Sequence, residues 1–168
     1  MEKARRDARL SARAALALAG AVLALAAAGC GGGGDELSKD EYEREVAKAL
    51  GPARAGLGAV RTGKLRSRTE AAAVLAGVAG PLANAARKIE AIDAPKDAEG
   101  PQRQFVTAIR AFAIDSLRSG QALERGGAAA LRRRGGIVRP QTARQLRAAS
   151  EAYRAQGYEI GNAVSPGG

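Results

Sequence analysis

Two long stretches of this chain repeat their apolar residues at alternating three- and four-residue steps, and a Ser-x-x-Glu box precedes each, so helices must carry the fold. In the first stretch Tyr42, Val46, Ala49, Leu50, Ala53, Leu57 and Val60 fall on one helical face. In the second the same spacing links Val74, Val78, Leu82, Ala85, Ile89 and Ile92. Ser38 with Glu41, and Ser67 with Glu70, are capping boxes, and Leu37 with Tyr42 fits the hydrophobic staple that flanks one. Asp40, Glu41, Glu43 and Glu45 open the first stretch while Arg54, Arg61 and Lys64 close it, the order that the helix dipole favours. Each stretch also carries a Gly-Pro pair, Gly51-Pro52 and Gly80-Pro81, which predicts a kink or a break into two shorter pieces, because proline removes a backbone donor and crowds the preceding turn. Asp93-Ala94-Pro95 ends the second helix, since the residue before a proline is pushed out of helical geometry.

A third helix is predicted from about Asp97 or Pro101, with Phe105, Ile109, Phe112, Leu117 and Leu123 as its larger apolar residues and an end near Gly126-Gly127. A short Ala and Arg segment and a second glycine pair, Gly135-Gly136, lead to a last helix from about Pro140 to Gln156. Its inner face is marked by Leu146, Ala149 and Tyr153, and Gly157 suits a left-handed cap. No window alternates apolar and polar residues with β-branched enrichment. The expected fold is therefore all-α: a small up-and-down antiparallel bundle of three to four helices over residues 38–160, with residues 161–168 as a disordered tail. Large apolar side chains make up only about a fifth of the residues after position 29, so the core should be thin, with alanine compensating through helix propensity and close helix approach.

Ahead of the bundle, three regions follow one another in the order of an export signal. A basic stretch holds Lys3, Arg5, Arg6, Arg9 and Arg13; an uncharged stretch from Ala14 to Ala28 contains only Ala, Leu, Val and one Gly; Gly29 and Cys30 follow. The uncharged run is shorter than the roughly 20 residues that a membrane-crossing helix needs. Residues 1–29 therefore read as a signal helix to be set apart from the fold, and Gly31 to Gly34 as part of a flexible tether.

Ala27, Ala28, Gly29 and Cys30 resemble the lipobox of bacterial lipoproteins, with Ala27 standing where leucine is usual. That resemblance implies cleavage between Gly29 and Cys30, a diacylglyceryl group on the Cys30 thiol, and a chain tethered to the extracytoplasmic face of the cell membrane. It divides the chain into a signal peptide (1–29), a lipidated cysteine with a glycine-rich tether (30–37), the helical domain and the tail. Ala26 and Ala28 also form an A-x-A pattern, which an ordinary signal peptidase would use to release a soluble protein. The chain has one cysteine, which excludes an internal disulfide; acylation would remove the hazard of a free thiol in an oxidising compartment. Two acyl chains give stable attachment where one is marginal. Leu37-Ser38-Lys39 and the Ile92-Asp93-Ala94-Pro95 turn are also similar to uncharacterised actinobacterial envelope lipoproteins with an α-helical hairpin after the tether, a likeness that implies no activity.

Residues 1–29 hold five of the 27 basic and two of the 17 acidic residues, which leaves the remainder a formal charge of +7. Export makes nucleic acid an improbable counter-charge and leaves anionic lipid or anionic wall polymer as the partners to expect. The charge is concentrated. Arg125, Arg132, Arg133, Arg134, Arg139, Arg144 and Arg147 occur between residues 125 and 150 with no Asp or Glu among them, a block suited either to docking on an anionic surface or to a solvated loop. Asp115, in the apolar run of the third helix, is expected at a boundary position beside Arg118, the alternative being the lining of a ligand cleft. The chain has no histidine, and with Cys30 committed to lipid it has no free thiol, so the commonest bases, nucleophiles and zinc ligands are missing. The acids of residues 40–45 read as a solvated helix start. No cofactor, metal site or enzymatic activity is expected. The sequence thus points to a lipid-anchored, non-catalytic structural or binding module of the cell envelope, with a small-ligand receptor or sensor binding between kinked helices as the alternative; protein partners are not indicated.

Overall fold

The computed structural model describes residues 36–61 and 67–160. Among these residues there are four helices and no strand: α1 (Lys39–Arg61), α2 (Arg68–Glu90), α3 (Glu99–Arg133) and α4 (Pro140–Ala155). The chain is a small helical bundle at this level. The signal segment, Gly29, Cys30, Gly31 to Gly34 and the tail from residue 161 lie outside the described residues.

Both predicted helix starts are built as their residues dictate. The Ser38 hydroxyl accepts the Glu41 N–H (3.4 Å) while the Glu41 carboxylate accepts the Ser38 N–H (3.1 Å), closing the box reciprocally. The Ser38 hydroxyl also donates to that carboxylate at 2.5 Å, and this bond, followed by the one from the Ser38 N–H, holds the Glu41 carboxyl below its ordinary range. At α2 the Ser67 hydroxyl accepts the Glu70 N–H at 3.1 Å from an extended backbone. Neither internal proline ends its helix: α1 runs through Pro52 and α2 through Pro81. The carbonyls that each proline deprives of a partner belong to Lys48 and Gly77, both exposed, so water can satisfy them and the helices continue.

Specific contacts fix the direction of each neighbouring pair. Gln102 at the start of α3 donates to the carbonyls of Ile89 (2.6 Å) and Ile92 (2.9 Å) at the end of α2, whereas Arg68 at the start of α2 lies against Gly127 near the end of α3. These two helices are therefore antiparallel. Midway they come very close: a Cβ on Gly120 would stand 2.6 Å from the Ala72 carbonyl and 2.8 Å from the Ala76 nitrogen, so only glycine permits this crossing. Phe105 meets Tyr153 and Asp115 meets Arg139, which runs α4 back along α3. Gly56 faces Val78, and Glu36 accepts the Lys96 N–H at 2.6 Å, which sets α1 antiparallel to α2.

The core is thin and aromatic at one end. Tyr42, Val46, Leu50, Leu82, Ile89, Phe105, Ile109 and Tyr153 are fully buried. Tyr42 and Tyr153 join α1 to α4 through a 2.6 Å hydroxyl-to-hydroxyl hydrogen bond, and Tyr158 packs edge-on against both. Burial pushes the Tyr42 hydroxyl up to about 12 despite that bond, and it pushes the Tyr153 and Tyr158 hydroxyls up as well. Two side chains depart from the expected inner faces. Leu117 is 42% exposed and Val74 only half-buried, while Leu75, one residue on, takes the buried place. Leu117 lies on the side of α3 that faces neither neighbour.

At Gly126-Gly127 the third helix breaks, at the glycine pair that the sequence marks. Gly127 has φ 61° and ψ −159°, a conformation that L side chains avoid, and the helical run then resumes for six residues to Arg133 instead of ending. That short return packs Leu131 against Leu123, Leu75 and Ala72. Gly135 and Gly136, at φ 84° and 104°, turn the chain into α4.

Candidate functional site

The seven arginines of the acid-free block separate into two groups with different surroundings. Arg134 and Arg139 turn inward onto Asp115, whereas Arg125, Arg132, Arg133, Arg144 and Arg147 are exposed. Asp115 is not the boundary residue that its spacing to Arg118 suggests. Its side chain is wholly buried, and Arg118 points to solvent on another side of α3. The Asp115 carboxylate accepts the Arg139 Nε–H at 2.6 Å and the Arg139 backbone N–H at 3.1 Å, with Arg134 Nη2 at 3.8 Å. Burial would raise the Asp115 carboxyl, but the Thr142 hydroxyl and then the Arg139 N–H and guanidinium outweigh it and leave the group below its ordinary value.

The physical reason lies at the start of α4. Arg139 occupies the N-cap position and offers no side-chain acceptor of its own, so the amide ends there need one from elsewhere. Asp115 supplies it from α3. Ser119, one turn further along α3, extends the network by donating to the Ile137 carbonyl (2.6 Å) and accepting from Arg134 Nη1 (3.0 Å). Asp115, Ser119, Arg134, Ile137, Arg139 and Thr142 are thereby committed to closing the turn between α3 and α4. The sequence signal for this role is the otherwise uncapped Pro140 start, combined with a lone carboxylate in an apolar run.

The exposed arginines sit in a defined place. Arg68 and Arg133 flank the helix break: an Arg68 nitrogen comes within 3.3 Å of a Cβ position on Gly127, and an Arg133 nitrogen within 3.7 Å of one on Gly126. Arg125 and Arg132 adjoin them in sequence. Arg144 and Arg147 lie apart, part-way along α4. The acids are distributed in the opposite sense. Every described Asp and Glu except Glu70, Asp115 and Glu124 lies in the opening turns of α1, around the α2–α3 turn, or in the last residues of α4 and beyond. Those segments form one end of the bundle, where the chain enters at Glu36, and they also contain Lys and Arg. The far end, at the α3 break, is richer in arginine than in acid.

One open groove of about 490 Å³ lies along α1 and the segment after α4. Val46, Leu50 and Ile160 form its apolar part; Asp40, Glu43 and Glu159 stand on its rim with Arg44 and Arg54. Its lining comes from α1 and the segment after α4, with no residue of α2. Among the described residues no three His, Cys, Asp or Glu side chains group so as to hold a metal ion, and no helix is long and apolar enough to cross a membrane. Tyr42, Phe105, Phe112, Tyr153 and Tyr158 are all buried in the core, so none offers an exposed stacking platform. No protein family, curated protein or solved structure matches this chain.

Proposed function

We propose that this protein is a lipid-anchored component of a bacterial cell envelope, held to the extracytoplasmic face of the membrane by a diacylglyceryl group on Cys30 and acting as a non-catalytic binding module. The observation that carries the binding role is the exposure of Arg125, Arg132, Arg133, Arg144 and Arg147 within a stretch that has no acid of its own. The anchoring role rests on the basic, apolar and small-residue order of residues 1–30. The start of the folded body supports it: α1 is capped at Ser38, close enough to Cys30 that only a short glycine-rich tether separates them. A tether of that kind would display the bundle without embedding it.

Mass spectrometry of the mature amino terminus, from membranes of a bacterium expressing the full chain, tests the anchor. The expected product begins at diacylated Cys30, and Cys30→Ala should leave the precursor uncleaved. A product beginning at Gly29 with an unmodified thiol would show ordinary secretion and end the anchored reading. The groove along α1 favours a second reading, a small-ligand receptor. A ligand there should shift the amide resonances of Val46, Leu50 and Ile160, and Ala47→Glu, at an exposed position of the lining, should abolish those shifts while leaving the fold intact.

A further inference from the structure

We infer that the outer face of α3 is a docking surface for an anionic lipid bilayer, with Ile114 and Leu117 entering the headgroup region and the arginines around them meeting the phosphates. This inference rests on the envelope reading above only for the supply of such a surface. Among the described residues the exposed large apolar side chains are Ile114, Leu117 and Ile137. The first two are neighbours on the side of α3 that neither α2 nor α4 covers. At about 100° per residue, Arg103, Arg110, Arg118 and Arg125 all fall within about 40° of the helix line through Ile114, and Leu117 within about 60°. The four arginines span about 33 Å of helix. Arg103 pairs with Glu99 and Arg110 with Glu90, but Arg118 and Arg125 take part in no ion pair among the described residues. Glu124, two turns beyond Leu117, stands at the edge of this face next to α2.

Shape and charge together select the partner. The groove described above includes no residue of α3, and the outer side of a straight helix is a ridge that encloses neither a small molecule nor a peptide. A second copy fits poorly. Antiparallel pairing through Ile114 would set Arg110 of one copy against Arg118 of the other, and parallel pairing would set each arginine against its own equivalent. A purely ionic polymer would leave Ile114 and Leu117 in water, whereas an uncharged apolar surface would strip water from the arginines without pairing them. An anionic bilayer meets both demands, because aliphatic side chains sink at the headgroup boundary while guanidinium groups bind phosphate as two-pronged donors.

The chain has no tryptophan, so Leu117→Trp places a single fluorescent reporter on this face and Lys48→Trp places one on α1. Both positions are exposed, and the melting curves should stay near wild type. Each full-length protein is purified from bacterial membranes and reconstituted into vesicles of phosphatidylglycerol or of phosphatidylcholine. In phosphatidylglycerol the Leu117→Trp emission should move to the blue and be quenched by brominated acyl chains; in phosphatidylcholine it should do neither, and Lys48→Trp should respond in neither lipid. Adding Arg118→Gln and Arg125→Gln should lower the docked-to-undocked ratio about 25-fold, at about fivefold for each arginine. Adding Ile114→Gln instead should lower it about tenfold. An equal response in both lipids, an equal response from Lys48→Trp, or no loss on removing the arginines would overturn the docking face. A blue shift that grows with protein concentration in the absence of vesicles would assign the face to a second copy instead. Acylated Cys30 with no Leu117→Trp response in phosphatidylglycerol would end this inference and leave the anchor standing; unmodified Cys30 with a phosphatidylglycerol-dependent response would do the reverse.

Discussion

Replacing Asp115 by alanine should destabilise the bundle by about 3 kcal/mol, and the figure follows from what the carboxylate leaves behind. Removing one member of a buried ion pair usually costs about 3–5 kcal/mol, because the remaining charge has no compensation. Here the remaining guanidinium groups are within reach of water, Arg139 being 43% and Arg134 22% exposed, so that charge penalty is smaller. Added to a charge penalty of about 1 kcal/mol, the Arg139 N–H, whose bond to Asp115 is the cap on α4, and the buried Thr142 hydroxyl lose their acceptor at about 1 kcal/mol each. Thermal and urea unfolding followed by circular dichroism measure the result; a fall in Tm of about 10 °C is expected for a domain of this size. Asp115→Asn keeps an acceptor without the charge and should lose about half as much. Arg118→Ala, which removes the partner that sequence spacing suggests, should stay within about 0.5 kcal/mol of wild type. The pH dependence has a definite sign. A carboxyl whose folded value is depressed contributes stability above its unfolded value, 3.8 for Asp115, and the contribution disappears as pH falls through the lower folded value. Asp115→Asn should therefore show a shallower loss of stability below about pH 4 than wild type. An Asp115→Ala protein as stable as wild type, or one no less sensitive than wild type to loss of Arg139, would refute the capping argument.

The remaining perturbations probe the helix crossing and the buried hydroxyls. Gly120→Ala should cost about 1–3 kcal/mol despite its better helix propensity, because the new carbon meets the α2 backbone; Gly77→Ala, which meets nothing within 4 Å, should gain about 0.5–1 kcal/mol in the same unfolding assay. Ser116→Ala should be neutral or stabilising by up to about 1 kcal/mol, since its buried hydroxyl has no hydrogen-bond partner. Tyr42→Phe should cost about 1–2 kcal/mol by stranding the Tyr153 hydroxyl, and a double-mutant cycle with Tyr153→Phe should give a smaller total than the sum of the singles. The raised Tyr42 hydroxyl favours the fold fully below pH 10 and loses its contribution as pH climbs to about 12, so ultraviolet titration should show delayed tyrosinate formation and alkaline unfolding in that window.

What the sequence discloses and what it conceals follow from the range of the forces involved. Ser38 with Glu41, Ser67 with Glu70, the Gly126-Gly127 break and the Pro140 start are decided within one turn of chain, and all four are legible because their hydrogen bonds and φ angles are local. Pro52 and Pro81 are local too, yet of the kink or break that they predict, the break does not occur. Their cost depends on whether the orphaned carbonyl reaches water, which burial decides. Asp115 is the clearest case of concealment. Its i+3 neighbour Arg118 is the obvious partner in one dimension, but the face of α3 that carries Asp115 is turned towards α4, so the pairing crosses 24 residues to Arg139. The charge separation along the bundle stands between these cases. No local rule contains it. Antiparallel helices nevertheless bring the α1 start, the α2–α3 turn and the α4 end together, so acids scattered through the sequence collect where the chain enters, and the acid-free block supplies the opposite end. Once the order and direction of the helices are known, that segregation follows from residue numbers alone. It is therefore robust to the details of any single side chain, and it would survive most substitutions that leave the four helices intact.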